Sequence, residues 1–385
     1  MDLMCTRRRT LTYLGLVTTL LGAGCQPSRS ADPETPADAG STDATSETTA
    51  QDPQDVTAST APPALLSEWG LFADGPAQLP AADVVPYDVI APLFSDYTHK
   101  RRFLRVPAGQ TIGYHAREVW RFPVGSVLVK TFSYLNDRRA PALGERLLET
   151  RLLVRETEGW VGHTYVWNEA QTDAERKVAG ALFETRWVHD DGSERENLYG
   201  VPNTNECHDC HGKKPALDTL GLRTRQIDRD FDHGDGPINQ IDHLLSLGLF
   251  DRTPGNNRQQ LVDPFGDAPL FERARAYLDV NCGACHREGG EASSSSMYNA
   301  WEYTDPIEGD PEVWGACRIP DSASGANCGL RTDIIPGEPD ASIYICRLES
   351  EMPEVRMPPL ARRLQHTEGV ALMRAWIAAL DGACD

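Results

Sequence analysis

One five-residue pattern occurs twice in this chain, as Cys207-His208-Asp209-Cys210-His211 and as Cys282-Gly283-Ala284-Cys285-His286. Two thiols one helical turn apart with an imidazole directly after them place three reactive side chains on one short stretch of backbone, so the fold must present both stretches intact. Zinc ribbons also pair C-x-x-C motifs, but with about 15–20 residues between them. The gap here, from Cys210 to Cys282, is far longer. Thioredoxin-type dithiols sit in a βαβ context, and neither pentad has one.

The chemistry that requires this spacing is covalent haem attachment. Two cysteines form thioethers to the porphyrin, and the adjacent His turns its imidazole to the iron. The pentads therefore predict two covalently attached haem c groups, held by Cys207 and Cys210 and by Cys282 and Cys285. His211 and His286 are the expected proximal ligands.

An export leader precedes them. Residues 1–24 combine Arg7-Arg8-Arg9 with a short apolar stretch, Leu11 to Gly24, as a secretory signal does. A bilayer-spanning helix needs about 20 apolar residues. Leu21-Gly22-Ala23-Gly24-Cys25 is similar to a lipoprotein cleavage site, which makes Cys25 the expected lipid anchor. Residues 25–63 are rich in Pro, Ala, Ser, Thr and acidic side chains, and read as a solvated tether that cannot bury enough apolar area to order itself. The expected location is the periplasmic face or the outer membrane, or the periplasm or exterior as a soluble protein. Of ten Cys, Cys317, Cys328, Cys346 and Cys384 remain for two disulfides in an oxidising compartment. Three pairings are possible; Cys317–Cys328 with Cys346–Cys384 is the favoured one.

The net charge of −20 offers no basic patch for nucleic acid. It would steer a basic redox partner.

Residues 64–202 read as β-rich. Val119–Phe132 and Leu147–Arg155 are strand-like, and Glu156-Thr157-Glu158-Gly159 turns the chain into Trp160–Trp167, a hairpin. Repeated Gly, Pro and Asp punctuation predicts a β-sandwich or jelly roll. Residues 203–255 form the first haem segment, opened by turn and cap residues at 202–206. Asp228, Asp230, Asp232 and Asp235 invite a calcium reading, but the sixth position of that loop is His233 rather than the required Gly. They read as a solvated loop.

Residues 266–385 carry a helix from Ala268 to Val280 with Leu270, Phe271, Ala274, Tyr277 and Leu278 on one face. The second pentad follows, then Arg356-Met357-Pro358-Pro359, and a last helix capped by Thr367 with Val370, Met373, Trp376, Ile377 and Leu380 at helical spacing. This order resembles the c-type cytochromes, and the whole chain loosely resembles bacterial exported dihaem cytochromes with a β-rich N-terminal domain. The resemblance implies Met357 as distal ligand of the second haem, with Met352 its rival and Met373 in the core. For the first haem His233, His243, a β-domain His or an open position remain.

The fold class expected is therefore multidomain α+β: a β-sandwich or jelly-roll domain followed by mainly α cytochrome c-type regions. The expected function is single-electron transfer between exported or membrane-associated redox partners. A dihaem peroxidase or another oxidoreductase with an open first haem is the enzymatic alternative, and a cell-surface binding module the third class.

Overall fold

The computed structural model describes residues 61–212, 217, 219–304, 310–320 and 326–384, without the side chains of His208 and Cys210. The described residues fall within one compact unit. The leader, Cys25 and the tether up to residue 60 lie outside the described residues.

Among the described residues there are twelve strands: β1 (Phe72–Asp74), β2 (Leu79–Pro80), β3 (Val84–Tyr87), β4 (His99–Arg105), β5 (Val127–Leu135), β6 (Glu145–Glu156), β7 (Gly159–Trp167), β8 (Ala174–Arg176), β9 (Ala181–Val188), β10 (Glu194–Val201), β11 (Asp230–Asp232) and β12 (Pro237–Asn239). The helices are α1 (Cys207–His211), α2 (Thr224–Ile227), α3 (Gln240–Ser246), α4 (Leu270–Asn281), α5 (Trp301–Thr304), α6 (Ile343–Glu349) and α7 (Thr367–Ala378).

Strands β3 to β8 form one six-stranded antiparallel sheet in sequence order. The hairpin read from residues 147–167 is β6–β7, closed by the pair Glu156 and Gly159. Val119–Gly125 stays outside the named strands, because Pro123 and the left-handed Gly125 interrupt it and only isolated bridges hold it.

Both faces of the sheet are covered. On one, Phe103, Val129, Leu152, Tyr165 and Trp167 pack under Leu66 and Leu71. On the other, Leu104 and Leu128 meet Leu222, Ile227, Ile241 and Leu244 from the segment after the first pentad. Farther along that face, Tyr134 and Val166 meet Trp187 and Tyr199 of the β9–β10 hairpin.

This architecture corrects the expected fold class. The β-rich part is a meander with two separate two-stranded hairpins, β1–β2 and β9–β10, not a β-sandwich or jelly roll. The region C-terminal to it is not mainly α either. Its two longest helices, α4 and α7, have 12 residues each, and between them the described residues form only the short helices α5 and α6, turns and short 3₁₀ segments. The strand character of β5 to β7 was legible in the sequence, whereas β4 (His99–Arg105) was not read from it, nor was the face each covering segment would choose. In the C-terminal third, prolines and glycines cut short the helices that a mainly α region needs.

Helices α4 and α7 nevertheless pack through the apolar faces the sequence predicts. Ala274, Tyr277, Leu278, Val370, Met373, Trp376 and Ile377 share one core with Trp314 and Tyr344, and Leu270, Phe271 and Leu380 flank it. Thr367 is the first residue of α7 rather than its cap; His366 occupies the N-cap position, without a side-chain capping bond.

Cys317 pairs with Cys384, and Cys328 with Cys346. Two disulfides form as expected, but neither has the favoured partners. Both anchor the long excursion of chain between α5 and α6, one to the C-terminus and one to α6 itself.

Buried Arg225 joins the segments. It pairs with Asp279 of α4 and Glu302 of α5, each at 3.1 Å. Asn281 of α4 accepts from the Phe94 backbone N–H at 2.9 Å.

Candidate functional site around the paired pentads

The first pentad is α1. Asn203 accepts from the backbone N–H groups of Asn205 and Glu206, while Glu206 accepts from the Asn203 N–H at 2.7 Å. This reciprocal capping box starts the turn that runs into Cys207, as the cap residues at 202–206 predict. Gly212 comes next with φ +103°, a conformation that ends the helix directly after His211. On the sheet side, a methyl group added at Gly162 of β7 would lie 3.5 Å from the Cys207 sulfur and 3.3 Å from Leu217. Gly162 thus marks where the pentad lies against the sheet.

The second pentad begins where α4 ends. Cys282 and Gly283 both donate to the Leu278 carbonyl at 2.9 Å, and His286 donates its N–H to Cys282 at 2.9 Å, so the pentad continues as one more turn. Gly283 is required by space: a Cβ there would lie 2.7 Å from Ala300 Cα and from the Asp279 carbonyl.

Burial pushes the Cys282 thiol up to about 11, with the Tyr344 hydroxyl 3.1 Å from its sulfur acting the other way. Burial likewise pulls His286 down to about 4. Its Nδ1 lies 3.3 Å from the Met297 carbonyl, which can only accept. The proton therefore resides on Nδ1, and Nε2 keeps its lone pair.

The two pentads meet. The Cys285 sulfur lies 3.7 Å from the Asp209 carbonyl inside α1. Residues 76 positions apart are thereby brought side by side, with paired thiols and an imidazole on each stretch.

Met357 lines a cavity with Phe94, Tyr277, Leu348, Arg362 and His366. Sequence reasoning missed the last two. Arg362 donates to the carbonyls of Met357, Leu364, Arg347 and Ser350, holding the Met357 loop in place. His366 stacks on Phe94 with ring centroids 4.1 Å apart. Its Nδ1 is 3.2 Å from the Tyr277 hydroxyl, and burial lowers it to about 4. The rival Met352 is 55 % exposed, and Met373 is fully buried in the core.

These positions overturn the expectation of two covalently attached haem c groups. The cavity beside Met357 has room for about one water molecule, far less than a small-molecule site offers, and His286 does not line it. Among the described residues no three His, Cys, Asp or Glu side chains gather as a metal site. Neither pentad lies within a long helix: one is a five-residue helix and the other comes after the end of α4.

The other ligand candidates are placed elsewhere. His233 and His243 stack on each other, centroids 3.7 Å apart. Neither ring nitrogen of His233 has a hydrogen-bond partner among the described residues. His99 faces Glu145, and His115 accepts from the backbone N–H of Glu118. Of the Asp run, Asp228 is buried and pairs with Arg258 at 3.1 Å, so the run is not simply a solvated loop.

No protein-family model, curated protein or solved structure matches this chain.

Proposed function

We propose that this protein transfers single electrons between exported or membrane-associated redox partners, as its likeness to the c-type cytochromes implies. The observation that supports the reading is the meeting of the pentads through Cys285 and Asp209. Electron relay favours redox groups close together, and the fold joins two such stretches that lie far apart in sequence. Cysteine sulfur and imidazole are the side chains through which electron carriers tune redox centres, so the role falls to the pentads rather than to the sheet. Residues Cys207, Cys210, His211, Cys282, Cys285 and His286 are the proposed centre, with Met357 as an accessory.

The setting is proposed as exported, with Cys25 as lipid anchor. Disulfides Cys317–Cys384 and Cys328–Cys346 favour an oxidising compartment. The charge of −20 favours a basic partner whose encounter weakens with salt. Among the described residues no helix is long and apolar enough to cross a membrane.

Potentiometric titration of the purified exported chain, followed by visible absorption and paramagnetic resonance, tests this. A one-electron couple has a slope of about 59 mV per decade, whereas a dithiol–disulfide couple has about 30 mV. We expect the one-electron slope, lost in His286→Ala. A redox-silent chain, or the two-electron slope alone, overturns the proposal.

A further inference from the structure

The helix-bearing face of the sheet is apolar at both ends and cationic in the middle. Strand register sets its rows. Leu104, Leu128 and Leu153 stand side by side, and so do Arg102, Lys130 and Arg151; the next row is Lys100, Phe132 and Glu149. Like charges directly opposite one another on neighbouring strands are destabilising. Here three cations of β4, β5 and β6 stand abreast in a chain whose net charge is strongly negative. Lys100, Lys130 and Arg151 also converge on the Phe132 ring, at 5.9, 4.8 and 4.5 Å from its centroid.

The local anions are already engaged. Glu149 takes Arg151 and the Tyr199 hydroxyl, and Asp88 takes Arg102 at 2.7 Å. Lys100 donates to the Thr98 carbonyl. Lys130 has no carboxylate partner among the described residues. Burial, with the charge of Arg102 next, lowers Lys100 to about 7, and the same causes act on Lys130 together with Lys100 itself. Two half-buried lysines with no carboxylate in ion-pair contact among the described residues are thus held beside two guanidinium groups, between two apolar clusters.

We propose that this row binds a small dianionic oxyanion, of phosphate or dicarboxylate type, which supplies the missing counter-charge. The site lies on the same sheet face as Gly162 and the Cys207 sulfur. It is independent of the redox role assigned to the pentads.

The test is thermal unfolding of the full exported chain, titrated separately with sodium phosphate and sodium succinate against sodium chloride at matched ionic strength. A ligand that binds only the folded state raises Tm saturably. We expect such a rise with at least one of the two; phosphate alone identifies a tetrahedral ligand, succinate alone a carboxylate. Lys130→Met should raise Tm without ligand, by removing repulsion, and should weaken the titration midpoint about tenfold or more. Lys100→Met, in the adjoining row and on the same Phe132 ring, repeats the measurement should the first variant fail to fold. A rise that chloride reproduces, or an unchanged midpoint in the variants that fold, overturns the proposal.

Discussion

Asp96 Oδ1 accepts the backbone N–H of Arg363 at 2.7 Å. The same oxygen takes the Leu364 N–H at 2.9 Å, and the Asp96 carbonyl accepts from the Tyr134 hydroxyl at 2.6 Å. One carboxylate near the start of β4 thereby fixes the loop that comes after Met357, donor and acceptor standing 267 positions apart in sequence. Its φ of +50° is a conformation Asp tolerates better than most residues.

Asp96→Ala removes an acceptor of two part-buried N–H groups. It should destabilise the chain by about 3 kcal/mol and make the 356–364 loop cleavable by added protease. Asp96→Asn, which keeps an oxygen there, should cost less than half as much. Denaturant unfolding of both variants, with proteolysis mapped by mass spectrometry, decides it. Equal losses would sever the link between carboxylate and loop.

Gly283→Ala drives a methyl group to within 2.7 Å of backbone at Ala300 and Asp279. Neither is the end of a flexible side chain, so the pentad turn itself has to move. A loss of about 2 kcal/mol should accompany a shift of the redox transition. Gly289→Ala, three residues past the pentad where nothing lies within 4 Å but φ is +71°, should cost about 1 kcal/mol and leave the transition unmoved.

The two disulfides should contribute unequally. Cys317–Cys384 spans 67 residues and Cys328–Cys346 spans 18. Closing those loops in the unfolded chain predicts about 4 and about 3 kcal/mol respectively. Paired Cys→Ala variants, unfolded in urea, measure both. A larger loss from the shorter loop would contradict the chain-entropy account.

Glu145 provides the acid response. Burial alone would raise its carboxyl, but hydrogen bonds from His99 and Ser133 and the Arg101 charge outweigh it and bring the group down to about 2 from 4.5. Because the folded value is depressed, the stabilisation is present above about pH 4.5 and is lost as pH falls toward 2. It amounts to up to about 3 kcal/mol. Glu145→Gln should be less stable at pH 7 and show a shallower decline between pH 5 and 3. A parallel decline would assign the acid response to other carboxylates.

Much of the local structure was legible from the residues. Alternation over 147–167 specified a hairpin because a strand's side chains repeat every two residues, and Gly159 closed it. Ala274, Tyr277 and Leu278 against Val370, Met373 and Ile377 came from helical spacing in the same way. The cap at Asn203 and Glu206 needed only neighbours three apart. Disulfide pairing was another matter: all four cysteines lie within 70 residues, and only the path of the excursion between them selects Cys384 for Cys317.

By itself, then, the sequence determined everything that depends on near neighbours: the two pentads, the turns that start them, the amphipathic faces of α4 and α7, and an even set of cysteines for pairing. The tertiary structure alone decided that Cys285 would meet Asp209, that Arg362 and His366 would flank Met357, and that Arg102, Lys130 and Arg151 would stand abreast. Each of these rests on strand register or on loop closure over tens of residues. The free energy that selects them is summed over the whole core, so no local window of residues contains it.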